Sequence, residues 1–98
     1  MSYLYLIVDG MTSGTGIRDA EEGGYIEPSL LGITKDLCQR IASWQSNYEL
    51  AHFNLYSDIV LVNKLDKEGL ELAKAVLGEL PNCKVRYFSD ATMQEIAL

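Results

Sequence analysis

Thr34-Lys35-Asp36-Leu37-Cys38-Gln39-Arg40-Ile41-Ala42-Ser43-Trp44-Gln45-Ser46-Asn47-Tyr48 is the stretch that decides how the rest of the chain must fold. Leu37, Ile41, Trp44 and Tyr48 recur at spacings of four, three and four, the single apolar stripe of an amphipathic helix. Thr34 stands where a side-chain oxygen accepts from the amides of the first turn, and Asp36 complements the helix dipole there. Cys38, Ala42 and Gln45 widen the stripe, while Lys35, Gln39, Arg40, Ser43 and Ser46 look outward. Such a helix needs a layer to pack on, and the flanking sequence supplies one.

Upstream, residues 2–9 are aromatic and branched with almost no polar break, which predicts a central strand covered on both faces and ended by Asp9-Gly10. Between strand and helix lies Gly14–Ile33, with five of the eight glycines, four of the fourteen acidic residues and no apolar period. Loops of this length inside a domain are usually functional or disordered. The anchors Ile17, Tyr25, Ile26, Leu30, Leu31 and Ile33 predict an ordered loop packed on the body. Within it, residues 24–27 can form a short extra strand or bulge, which Pro28 confines to an edge.

Downstream, the run Ile59-Val60-Leu61-Val62 fits a buried strand and a first helical turn equally well, so residues 53–63 read as an irregular link that can hold a helical turn. A second helix follows. Leu65, Gly69, Leu72, Ala73, Val76, Leu77 and Leu80 line one face, and Asp66, Lys67, Glu68, Glu71, Lys74 and Glu79 a solvated one. Leu80-Pro81-Asn82 stops it. Gly69 costs roughly 1 kcal/mol relative to alanine in a helix, which a close crossing would justify. Lys84–Phe88 reads as the second main strand and Met93–Ala97 as a short antiparallel edge strand. The expected fold is one α+β domain over residues 1–98: a small mixed β-sheet of two main strands plus short edge strands, with two α-helices packed on one face.

Eight basic and fourteen acidic residues give a net charge of −6. Residues 18–27 carry −3 of it, four carboxylates against Arg18, and residues 57–80 carry −2. A field of this sign repels phosphate backbones and anionic lipid and steers cationic partners, so neither nucleic acid nor membrane is expected as a partner. Cys38 and Cys83 lack CxxC spacing and read as reduced thiols. The sequence enters its first strand without a basic leader, and no apolar run reaches membrane length, so a cytoplasmic location is expected.

No reaction can be read from the residues. Gly14-Thr15-Gly16 follows a strand, but no helix start or lysine is near, and Glu21 and Glu22 would repel phosphate. His52 is the only histidine, so no histidine cluster can hold a metal, and it reads best as a helix-end residue. Ser13, Ser29, Ser89 and both cysteines lack an activating neighbour. No catalytic residue, cofactor or metal ligand is therefore assigned. Asp19, Glu21, Glu22 and Glu27, with Tyr25 among them, lack the alternation of an EF-hand loop. They read either as a solvated acidic loop or as a docking surface for a basic protein, with Tyr25 as its anchor. Asp66-Lys67-Glu68 reads as a charge cluster at the start of the second helix, with Asp66 and Glu68 as further candidate contacts.

Gly16-Ile17-Arg18-Asp19, Gly23-Gly24-Tyr25-Ile26, Leu31-Gly32-Ile33, Trp44-Gln45, Leu65-Asp66-Lys67-Glu68-Gly69 and Val85-Arg86-Tyr87-Phe88 together make the chain resemble the small acidic immunity proteins of bacterial contact-dependent growth inhibition and other polymorphic toxin systems. The resemblance implies a non-enzymatic cytoplasmic protein that binds and neutralises a cognate toxin domain, often a basic nuclease such as a tRNase, without a cofactor. The competing expectation is a small ligand-binding domain or enzyme with a pocket under the 10–33 loop and His52 or Asp9 at its rim. Oligomeric state is left open by the sequence.

Overall fold

The computed structural model of the protein describes residues 4–98. Thr34 caps the first helix, α1 (Lys35–Phe53), by accepting from the Leu37 amide at 3.3 Å. Its stripe is buried as the spacing predicts and runs one step further, to Ala51. Trp44 extends from it to donate its indole N–H to the Leu65 carbonyl of the second helix at 2.9 Å. The two helices form an antiparallel pair, latched at one end by Glu79, which accepts from the Thr34 amide and hydroxyl at 2.6 and 2.9 Å.

The second helix, α2 (Ile59–Glu79), starts six residues before the Leu65 expected from its apolar face. Asp58 is its cap, accepting from the Leu61 amide at 3.1 Å. The ambiguous run at 59–62 is thus the first helical turn, and of its four residues only Val62 is buried. The link between helices shrinks to residues 54–58. Its start is a Schellman closure of α1: the Tyr56 amide donates to the Ala51 carbonyl and the Leu55 amide to that of His52.

The sheet has the order β2-β1-β3-β4, where β1 is Tyr5–Val8, β2 Ile17–Asp19, β3 Lys84–Ser89 and β4 Gln94–Ile96. β1 and β3 are parallel neighbours, joined through both helices, and β2 and β4 flank them antiparallel. The α+β class and the mixed sheet of two main and two short edge strands are as expected. Residues 2 and 3 of the expected first strand lie outside the described residues. β2 arises inside the glycine-rich loop, where three residues give no periodic signal, and Tyr25 adds only a single bridge to Arg18. The loop packs through Ile17, Ile26 and Ile33, but Leu30 points to solvent.

β1 is central, yet the helices cover only one of its faces. Leu6, Val8, Val85 and Tyr87 point into the core shared with both helices, while Tyr5 and Ile7 are half-buried on the other face. There the cover is made of long cationic side chains. Lys84 lies 5.0 Å from the Tyr5 ring centroid and Arg18 5.7 Å from that of Phe88, which explains why the strand reads as apolar on both sides. Gly69 is needed because the Tyr87 ring occupies the space a β-carbon would fill.

Candidate functional site

Asp66 is not part of a solvated charge cluster. It sits mid-helix, 7% exposed, and accepts from the hydroxyls of Tyr48 at 2.8 Å, Tyr87 at 2.6 Å and Ser89 at 2.8 Å. Its role is to bind α1, α2 and β3 together, and it cannot also touch a partner. Tyr25 is likewise engaged: its hydroxyl donates to Asp9 at 2.5 Å. Asp19 organises a tight turn by accepting from the Glu21 and Glu22 amides. Of the expected contacts, Glu21, Glu22, Glu27 and Glu68 stay exposed. Because Asp19 pairs with Leu6 and the Ala20 amide with the Tyr5 carbonyl, the Glu21-Glu22 turn lies at the start of β1. The structure thus gathers Asp19, Glu21 and Glu22 into one turn and buries Asp66 in the core.

The opposite end of the sheet is where chemistry converges. Parallel β1 and β3 deliver Asp9 and Asp90 to the same end of the sheet. Asp9 is 2% exposed, and Arg18 Nε lies 2.7 Å from its Oδ2. Tyr56 donates its hydroxyl to Asp90 Oδ2 at 2.6 Å. A cleft of about 520 Å3 opens beside them, walled by Met11 and Thr12 on one side, Ala91 and Met93 on another, and His52 and Tyr56 from the helical corner. Thr12 Oγ1 is buried without a hydrogen-bond partner among the described residues. The 10–16 loop is clamped onto α1 by Gln45, which donates to the Met11 carbonyl, and by Glu49, which accepts from the Ser13 amide, both at 3.0 Å. His52 thus does line a cleft near the 10–33 loop, whereas Asp9 sits behind it rather than at its rim.

The buried hub reaches this site through Tyr48 and through Ser89, whose hydroxyl accepts from the Thr92 amide at 3.3 Å. Tyr48 donates to Asp66, accepts from the Ala91 amide at 3.0 Å, and stacks edge-on against Tyr56 at 5.9 Å. Burial pushes the Tyr48 phenol up to about 12. Tyr25 and Tyr56 are raised too, first by burial and then by the carboxylates they serve. All three remain hydrogen-bond donors throughout the physiological range.

Burial raises the Asp9 carboxyl above its ordinary 3.8, against the opposing pull of Tyr25, the Met11 amide and Arg18. A raised carboxyl stabilises the fold fully below the unfolded value, and that contribution is lost as pH rises through the folded one. Urea unfolding of wild type and Asp9→Asn at pH 3.5 and 6 is expected to show the variant gaining relative stability at the higher pH. A pH-independent difference would reject this.

Strain marks the same end. The four described non-glycine residues with positive φ are Ser13 (69°), Leu55 (58°), Tyr56 (54°) and Met93 (58°), and all four line or adjoin the cleft. Left-handed backbone costs such residues of order 1–2 kcal/mol and tends to gather at functional sites. Leu55 closes α1 where glycine is usual, yet its side chain is 86% exposed and packs on nothing that would compensate. Leu55→Gly is expected to raise stability by about 0.5–1 kcal/mol, read from the urea midpoint. A loss of stability would show that Leu55 serves folding instead.

Exposed apolar side chains follow the strain. Eight of the twelve large ones among the described residues, including Leu50, Phe53, Leu55, Ile59, Val60 and Met93, lie on the α1–α2 corner or at the cleft. Sequence reading missed Tyr56, Asp90 and Met93. The available signal was an aspartate closing each of two strands that topology would set in parallel. Among the described residues no group of three or more His, Cys, Asp or Glu is placed to hold a metal ion, and no helix is long and apolar enough to cross a membrane. No protein-family profile, curated protein or solved structure matches the chain.

Proposed function

We propose that this chain is a cytoplasmic immunity protein that neutralises a cognate toxin domain by docking the α1–α2 corner and the adjoining cleft onto it. The observation that carries this reading is the corner itself: contiguous residues 50–60 hold Phe53 and Ile59 at 67% exposure and Val60 at 74%, beside the carboxylates of Glu49, Asp58 and Asp90. An apolar centre with an acidic rim suits a basic protein surface, such as the substrate cleft of a nuclease. The net charge of −6 would speed encounter, and the apolar anchors would slow release. The carboxylates inside the fold favour binding over catalysis, because Asp66 and Asp9 are held by internal partners.

The test is coexpression with the toxin domain encoded beside this chain. The expected result is growth protection and a stable complex whose association rate falls as salt is raised. Protection without a complex, or no protection at all, overturns the proposal.

A further inference from the structure

We propose that the cleft between Met11 and Met93 is a receptor for one cationic side chain, an arginine, with Asp90 as its counter-charge. The identity of the donor as a residue of a protein partner rests on the proposed function above; the cleft's preference for a guanidinium does not.

Charge at the site is unbalanced. Asp9 and Asp90 are close enough for each to act on the ionisation of its surroundings, and Arg18, which pairs with Asp9, is the cation in contact there. Among the described residues no basic side chain lies within ion-pair distance of Asp90. Tyr56 holds Oδ2, so the carboxylate is fixed in orientation while Oδ1 accepts no hydrogen bond from the described residues. A cation entering the cleft would meet an oriented acceptor whose desolvation is already partly complete.

The walls choose the kind of cation. Met11 and Met93 are unbranched and polarisable, suited to lie along an aliphatic stem. Tyr56 and His52, edge-on to each other at 5.6 Å, add aromatic surface for a planar, weakly hydrated head. A guanidinium has both properties and several donors in one plane; an ammonium is compact and strongly hydrated, and loses more on entry. The volume of about 520 Å3 admits an arginine together with part of the backbone that carries it. Tyr56 and Met93, both with left-handed backbone, stand together on this wall.

The experiment is an NMR titration of the whole chain with N-acetyl-arginine methylamide, its lysine analogue, and its citrulline analogue, which keeps the shape without the charge. His52, the only histidine, and the Met11 and Met93 methyl groups are the reporters. Saturable shifts at these reporters are expected with arginine, weaker ones with lysine, and affinity about tenfold lower for citrulline and for arginine on Asp90→Asn. Citrulline binding as well as arginine, an unchanged affinity in Asp90→Asn, or silence at His52 would each overturn the proposal. Arginine recognition without any toxin complex would leave the cleft assignment standing and remove the immunity reading. A toxin complex with a cleft indifferent to arginine would do the reverse.

Discussion

Asp66→Ala is expected to lower the free energy of unfolding by about 4 kcal/mol, among the largest single-residue effects in the chain. The carboxylate accepts from three buried hydroxyls, and removing it strands the donors of Tyr87 and Ser89 where water cannot reach. Tyr48 fares better, since its oxygen still accepts from the Ala91 amide and lies 3.3 Å from Ser89 Oγ. Each stranded donor costs about 1–3 kcal/mol, and the space left by the carboxylate adds to this. Against a total stability of about 5–15 kcal/mol for domains of this kind, the variant would be folded but frail. Urea unfolding checks it, with an unchanged slope and a lowered midpoint. Asp66→Asn should lie between the two, because an amide oxygen accepts but its nitrogen repeats the donors it faces. A change under 0.5 kcal/mol is what a solvated position would give and would dissolve the hub.

That same residue shows where sequence reading reached its limit. Val62, Asp66, Gly69, Ala73 and Val76 are spaced four, three, four and three, so Asp66 falls on the buried stripe of α2 and not beside it. An acid on an apolar stripe must be partnered, but its partners come from α1 and β3, far along the chain. Local signals were readable: the Thr34 cap, the α1 stripe, the Pro81 stop and the close crossing at Gly69 all emerge where the residues place them. Asp58 carried an equally local capping signal for α2, which the apolar run after it masked. The strand pairing that unites Asp9 with Asp90 is non-local, so an aspartate at the end of each strand became a signal only once the two strands were set in parallel. The acidic loop drew attention by charge alone, whereas the α1–α2 corner is marked by backbone strain and exposure, which a sequence does not display.

On the proposed immunity function, Phe53→Asp is expected to weaken a complex with a toxin domain at least a hundredfold while leaving the fold intact. Phe53 is 67% exposed on the last turn of α1, so an aspartate there removes little packing and stability should move by no more than about 0.5 kcal/mol. In a complex the same change would bury a carboxylate where a ring had been, and most of the loss should appear as faster dissociation. Reversing Glu21 and Glu22 to lysine serves as the contrast. Those side chains sit on an exposed turn at the other end of the sheet, so their loss should slow association several-fold at low salt and vanish at high salt. The two signatures separate an anchor from a steering charge. If instead the Glu21 and Glu22 reversal speeds dissociation and Phe53→Asp is silent, the acidic turn is the contact surface and the α1–α2 corner is not.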